Sequence, residues 1–341
     1  MTIDGLFDAG YQNNVVQGVR ISGIEGNGAG TSAIHFRGTE DLGGGLSSSF
    51  HLENDISSVS YTANTGSAYS STSNGAASSF GKGEVSVGLA GSFGQVRFGA
   101  INNGGLEWAG MVSQFGTAMG GGFGSVIGAN TTYGLVRWSN SVRYDTPNMN
   151  GFTASAIVAA KQTNAATTNY SAAMGYNNVA GANELTATYA TGPLTMKAVS
   201  SSTQNTTGTQ DTQRDFGASY AVNGDLTVAA GLQNTNLAAG TSTSAKTVSA
   251  KYVVGQNDFL TNFTSLSSGT AGKTNATEFG LGYNYNFSKT TKLYARADHL
   301  NDASGISYAT DVTTAGAGQL AGATSGIRTY TKTAFGVQVA F

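Results

Sequence analysis

The sequence predicts an all-β fold: a 16-stranded antiparallel transmembrane β-barrel with long loops at one end, short turns at the other and one long loop folded inward. Three observations carry that expectation. Segment after segment alternates apolar with polar residues at a period of two, which is the period of a strand with two unlike faces. Proline numbers only 2 and glycine 49 in 341 residues, a composition poor for helices and good for short strands and turns. Water-soluble domains carry about 25% charged residues. A chain with 11% and a mean hydropathy of -0.13 must have a surface that is neutral and polar or that touches something other than water.

Taken in order, Ile3, Gly5, Phe7, Ala9 and Tyr11 alternate with Thr2, Asp4, Leu6 and Asp8 and give the first strand, after which a polar, glycine-rich connection runs to about Gly30. Ile34 and Phe36 alternate with His35 and Arg37, a tight turn follows at Asp41 to Gly45, and Leu46, Phe50, Leu52 and Ile56 run opposite Ser47, Ser49, His51, Glu53 and Asp55. Beyond a serine-rich loop at about 57–79, Val85, Val87 and Leu89 oppose Glu84, Ser86 and Gly88. The chain turns at Gly91 to Gly94, and Val96 and Phe98 then oppose Gln95 and Arg97.

The stretch at about 101–131 interrupts this rhythm. It is glycine-rich, Glu107 is its one charge, and Trp108, Met111, Val112, Phe115 and Met119 fall along one side of a short helix. A connection this long without sheet pattern is uncommon in a compact domain unless it is functional or disordered. Its apolar stripe needs cover, and the inner wall of the barrel is the expected cover.

Alternation resumes at Trp138, Val142 and Tyr144 against Arg137, Ser139, Ser141, Arg143 and Asp145. Further strands are expected at about 153–161, 183–191, 194–204, 212–222, 225–236, 245–254, 257–267, 276–287, 291–302 and 329–341. Pro147 and Pro193 both fall in short turns, where a missing N–H costs no ladder bond, and Asn223-Gly224 marks a two-residue hairpin. Including 170–178 gives seventeen strands. An up-and-down barrel with both ends on one side needs an even count, so 170–178 is assigned to a loop and sixteen remain, in a single domain spanning 1–341.

Closure removes the edges that so long a sheet would expose. A barrel of sixteen strands is too wide for side chains to fill and leaves an aqueous lumen. The polar faces therefore line water and the apolar faces meet lipid. Tyr144, Phe152, Tyr189, Phe259, Tyr285, Phe287 and Phe341 lie near the short turns, as an interfacial aromatic girdle requires.

The exclusions are equally definite. Without cysteine there is no disulfide, thiolate site or cysteine nucleophile. A net charge of -2 without a basic cluster gives nucleic acid no footprint, and no apolar run reaches the roughly 20 residues of a membrane helix. Thr2 opens a strand directly after Met1, so the chain reads as a mature form carrying an added initiator methionine. Ser267 to Thr274 ends like a phosphate-binding loop but lacks its first glycine, and Gly316 to Ala321 fits a dinucleotide fingerprint only loosely. His35, His51 and His299 stand far apart in sequence without metal-ligand spacing, so no metal is expected. No nucleophile, base and orienting group assemble, so neither enzyme activity nor a cofactor is expected.

The charges on the polar faces are Arg37, Arg97, Arg137 and Arg143 with Glu53, Lys82, Glu84 and Asp145. They either set a transverse field at a constriction or pair along the wall, as Arg143 and Asp145 could. Glu107 either faces these arginines or caps the short helix.

Phe36 to Gly45 (FRGTEDLGGG), Val87 to Gly99 (VGLAGSFGQVRFG), Asn140 to Pro147 (NSVRYDTP) and the terminal alternation Phe335, Val337, Val339, Phe341 resemble the general porins of Gram-negative outer membranes, in particular the trimeric porins of β-proteobacteria. The resemblance implies an outer-membrane homotrimer among lipid and lipopolysaccharide, passing small hydrophilic solutes and ions by passive diffusion. It also implies that the third long loop narrows the pore and that the terminal Phe341 strand is an assembly signal; read from the polar faces and the loop, Arg37, Arg97, Arg137, Arg143, Lys82, Glu84, Glu107 and Asp145 are the residues expected at the constriction. Family members often carry arginine where this chain has Ala33 and Glu84, and of that set Arg143 stands here, which implies weak or modest charge selectivity. Two rivals are a channel for aromatic or dicarboxylic acids, with Trp108, Phe115 and Phe123 as a contact track, and a secreted β-rich adhesin. The adhesin would show a fixed repeat of 20 to 50 residues, which the sequence does not contain.

Overall fold

The computed structural model describes residues 1–16, 19–56, 58–59, 82–127, 137–160, 181–204, 209–237, 240–307 and 329–341. The expected loop at 57–79 falls mostly, and the segments 170–178 and Gly316 to Ala321 wholly, outside the described residues.

Among the described residues, seventeen strand segments form one antiparallel sheet that closes on itself. They are β1 (Thr2–Val16), β2 (Val19–Gly26), β3 (Ala33–Gly43), β4 (Leu46–Asp55), β5 (Val85–Gly91), β6 (Gly94–Asn102), β7 (Arg137–Asp145), β8 (Phe152–Ala159) and β9 (Ala182–Thr191). The series continues with β10 (Leu194–Gln204), β11 (Gln210–Ala221), β12 (Leu226–Asn236), β13 (Ser242–Val254), β14 (Asn257–Ser268), β15 (Ala276–Asn286), β16 (Thr291–Asn301) and β17 (Tyr330–Ala340). Among the described residues one helix, α1 (Gly104–Val112), lies between β6 and β7.

The barrel nevertheless has 16 staves. The upper part of β1 pairs with β2, from Ala9↔Gly26 to Val16↔Val19, and its lower part pairs with β3, from Thr2↔Arg37 to Leu6↔Ala33. β2 and β3 are thus one stave, interrupted at residues 27–32. The interruption folds toward the lumen and is pinned by Asp8, whose carboxylate accepts from Gly28 N (3.1 Å) and Ala29 N (2.8 Å) while its own N–H donates to Ser32 Oγ (2.9 Å). This corrects the expectation of an irregular connection from residue 12 to Gly30: most of that stretch is strand, and its polar residues satisfy the ladder as well as apolar ones would.

Closure is made by β1 on β17, in register from Leu6↔Ala340 to Val16↔Tyr330. Gly5 and Phe341 exchange two backbone hydrogen bonds (3.1 and 3.0 Å), and the Phe7 and Phe341 rings stack at 5.8 Å. At the short-turn end, Gly43, Gly44 and Gly45 all have positive φ (83°, 62° and 79°), which only glycine adopts in succession without strain. The Asn223-Gly224 connection is not the expected two-residue hairpin. Asn223 Oδ1 instead accepts from Asp225 N (2.9 Å) and Leu226 N (2.8 Å), so the side chain closes a longer turn.

Burial is inverted relative to a water-soluble protein. Leu185 (66%), Phe335 (64%), Val158 (55%) and Phe216 (53%) are exposed on the outside, whereas Asp8, Gln213, Asp215, Gln233, Thr264, Glu278 and Asp298 are buried on the inside. Such a surface needs a hydrocarbon solvent, and a closed barrel is the strand arrangement that satisfies every ladder bond there.

Candidate functional site

The inward loop begins where Asn103 caps α1, its side chain accepting from Leu106 N at 2.9 Å. The N-terminal amide of Gly104 donates to a carboxyl oxygen of the buried Glu184 on β9, which satisfies one of the N–H groups that a helix start leaves without an intrahelical partner. Gly104, Gly105, Trp108, Ala109 and Val112 form the buried face of the helix, which packs on β9 to β13.

What receives that face is a floor of glycine. A Cβ on Gly217 of β11 would lie 2.4 Å from Val112 Cγ1 and 2.8 Å from Trp108 Nε1, and one on Gly231 of β12 would lie 2.8 Å from both Trp108 Cζ2 and Val112 Cγ1. Ser249 of β13 fastens the helix end, donating to Val112 O (2.8 Å) and accepting from Gln114 N (3.2 Å). Beyond the helix, Phe115 lies under the Arg296 guanidinium at 5.7 Å and Met119 packs with Tyr294 and Ala334. Val126 and Ile127 join an apolar cluster with Val199, Leu266 and Leu300 of the wall. Met111 is half-buried against the same cluster. Trp108 is fully buried and Phe115 nearly so, so neither offers an exposed aromatic track to a passing solute.

Opposite the packed face, the wall from β1 to β7 carries the arginines and wall acids that the sequence singles out. Arg97 of β6 and Arg143 of β7 are direct cross-strand partners, an arrangement of like charges that is unfavourable by itself. Asp145 resolves it, with Oδ2 at 3.0 Å from Arg97 Nη2 and Oδ1 at 2.8 Å from Arg143 Nη2. Glu84 pairs with Arg97 at 2.7 Å. Arg137 lies 3.6 Å from both Glu53 and Asp55 and donates to the Lys82 carbonyl at 2.8 Å. Arg37 pairs with Asp4 and is the most exposed arginine of this wall among the described pairs, at 45% of its side chain.

Glu107 faces the arginines and does not cap the helix. Its carboxylate bridges Arg143 Nη1 (2.7 Å) and Lys197 Nζ, joining α1 to β7 and β10. Burial pushes this carboxyl up, but the Arg143 guanidinium and Lys197 ammonium outweigh that and hold it below the ordinary carboxylate value. Lys197, Glu184, Gly217, Gly231 and Ser249 were not singled out in the sequence, where a lone lysine, an acid or a glycine on a polar face carries no distinguishing signal.

The structure also overturns the separation of the histidines. β3 and β4 are hairpin partners, so His35 and His51 meet on the inner face, with His35 Nδ1 3.2 Å from His51 Nε2. His299 is the exception, exposed on the outer face and bonded to Thr331 Oγ1 at 2.8 Å.

A family profile described as Gram-negative porin matches residues 1–305. The chain belongs to the Gram-negative porin family. Outer membrane porin protein 32 of Delftia acidovorans is 32% identical over 160 residues, covering 45% of this chain and 42% of that protein, so the match spans under half of the relative's length. The anion-selective porin from Comamonas acidovorans superposes with a TM-score of 0.75 at 23% identity, over 100% of this chain and 99% of that one. The trimer form of OmpT from Vibrio cholerae superposes with a TM-score of 0.63 at 13% identity, over 100% and 98%. The barrel of this porin resides in the outer membrane of a Gram-negative cell.

Proposed function

We propose that this porin is a water-filled channel for passive diffusion of small hydrophilic solutes and ions, with at most modest charge selectivity. The observation that carries the reading is the docking of α1: its apolar face lies on the β9 to β13 wall, and the lumen it narrows is bordered by the paired charges of β1 to β7. In this reading Arg37, Arg97, Arg137 and Arg143, with Lys82, Glu84, Glu107 and Asp145, border the constriction, and the loop sets the size limit. The Comamonas porin is named as anion-selective. Here the wall arginines at positions 37, 97, 137 and 143 each have a carboxylate within 4 Å, which supports a field that is mostly compensated.

The same reading makes the protein a homotrimer in contact with lipid and lipopolysaccharide, as the trimer form of OmpT suggests by analogy. Phe335, Val337, Val339 and Phe341, exposed on the outer face of β17 and its end, then act as the assembly signal. The deciding experiment is the reversal potential of the reconstituted channel under a salt gradient. A small value is expected, and a strongly anion- or cation-selective one overturns the modest selectivity. Absence of any conductance from folded protein overturns the channel itself.

A further inference from the structure

The inner face of the β3–β4 hairpin brings together two histidines that the pore reading leaves without a task and Glu53, one of the acids beside Arg137. His35 and Glu53 are direct cross-strand partners, and His51 is the diagonal neighbour two residues before Glu53. One donor atom each from His35, His51 and Glu53 lies within 4.8 Å of the others. All three residues are half-buried.

The two imidazoles already have the spacing of a ligand pair. Bonds of about 2.0–2.1 Å at tetrahedral angles separate donor atoms by about 3.3–3.4 Å, and His35 Nδ1 and His51 Nε2 are already 3.2 Å apart. Without an ion, one ring N–H donates to the other ring's bare nitrogen across this contact. A metal ion between them lets both act as neutral donors, the form in which histidine binds metals.

The surroundings support the same occupant. Glu84 Oε1 lies 3.9 Å from His51 Nδ1, on the opposite side of the ring from the shared contact. At that distance, and with Arg97 donating to the same oxygen at 2.7 Å, it makes no hydrogen bond to the ring and adds only negative potential beside it. Glu53 keeps its position through the Glu84 N–H, which donates to Oε2 at 3.0 Å, while Arg137 lies 3.6 Å from Oε1. Asp55 takes a share of Arg137 at 3.6 Å, and Asp4 neutralises Arg37, the cross-strand partner of His51.

We infer that His35, His51 and Glu53 form a lumenal binding site for a divalent transition-metal ion of the zinc class, with water from the pore completing the shell. Two imidazoles and one carboxylate select borderline ions such as Zn²⁺ over Mg²⁺ or Ca²⁺, which prefer oxygen ligands.

The test is calorimetric titration of the folded, tag-free protein in detergent with Zn²⁺ and, separately, Mg²⁺. One saturable Zn²⁺ per chain is expected, with at least about a tenfold loss of affinity in His35→Ala and in His51→Ala, and no comparable Mg²⁺ binding. Absence of stoichiometric Zn²⁺ binding, equal affinity for Mg²⁺, or unchanged affinity in both histidine variants would overturn the site. Zinc-edge X-ray absorption on the unmutated protein decides the matter even where a variant does not fold: two imidazoles in the shell support the site, and an all-oxygen shell refutes it. Binding is measured without ion flow, so its outcome is independent of whether the channel conducts.

Discussion

Glu107 of α1 and Arg143 of β7 form an ion pair of 2.7 Å that ties the inward loop to the barrel wall. The same carboxylate holds Lys197 on β10, so a single acid offsets two cations on either side of the helix. Replacing Glu107 with Gln leaves Lys197 without that carboxylate and Arg143 with Asp145 alone. The reversal potential of the Glu107→Gln channel should move toward anions. Breaking a fully buried pair costs about 3–5 kcal/mol, but Glu107 keeps 35% of its side chain exposed, so about 1–2 kcal/mol of loop docking is the expected loss.

The acid limb of the same tie has a definite sign. The Glu107 carboxyl lies below its ordinary value, so the folded loop is stabilised by the charged form above the usual carboxylate range and loses that contribution as pH falls through the lowered value. The Glu107 contribution to anion preference should therefore stay flat through neutral and mildly acidic pH and rise only below the ordinary carboxylate range. In Glu107→Gln that particular step should vanish, which a pH series of reversal potentials on both proteins would show.

Much of the barrel was legible because strand period does not depend on what lies across the lumen. Val142 and Tyr144 announce an outer face, and Arg143 and Asp145 an inner one, from local sequence alone. The inward break between β2 and β3 was not legible, since its Asn and Gly residues read as an ordinary connection and the organising group, Asp8, lies 20 residues away in sequence from Gly28. His35 and His51 escaped for a related reason: residues that meet across a hairpin are spaced by the position of the turn, so no fixed ligand interval marks them. The apolar stripe from Trp108 to Met119 signalled a need for cover, but its cover includes glycine, which in sequence suggests a turn and in the wall of a barrel provides room.

That room makes a steric prediction. A Cβ at Gly231 meets only atoms of Trp108 and Val112 within the nearest contacts, whereas one at Gly217 also meets the Ala230 carbonyl at 2.9 Å. Gly231→Leu should therefore push the loop off its floor while leaving the sheet intact. Single-channel conductance should rise and become noisier, with the folded-barrel band on an unheated gel unchanged. Unaltered conductance would mean that the docked helix does not set the narrowest section.

Trp108 separates packing from polarity at the same place. Its side chain is fully buried, yet Nε1 has no hydrogen-bond partner among the described residues. Trp108→Ala should cost about 3–5 kcal/mol of loop docking through the cavity it opens. Trp108→Phe removes an unsatisfied buried donor along with part of the ring, so its cost should be much smaller. Protease sensitivity of the loop in the folded barrel would rank the two variants, and equal sensitivity would refute the account.

The last prediction concerns the facing arginines. Arg97 and Arg143 stand opposite each other with Asp145 shared between them, but each has a second carboxylate, Glu84 for Arg97 and Glu107 for Arg143. Asp145→Asn should then cost only about 1–2 kcal/mol, because neither guanidinium is left without a counter-charge. Glu84→Gln alone should behave similarly, since Arg97 keeps Asp145. The double variant leaves Arg97 with neither acid while Arg143 still faces it, so its loss should exceed the sum of the two single losses by about 1 kcal/mol or more. Thermal loss of the folded gel band in the four proteins of this cycle measures that excess. A strictly additive result would mean that solvent in the lumen, and not Asp145, screens the two arginines from each other.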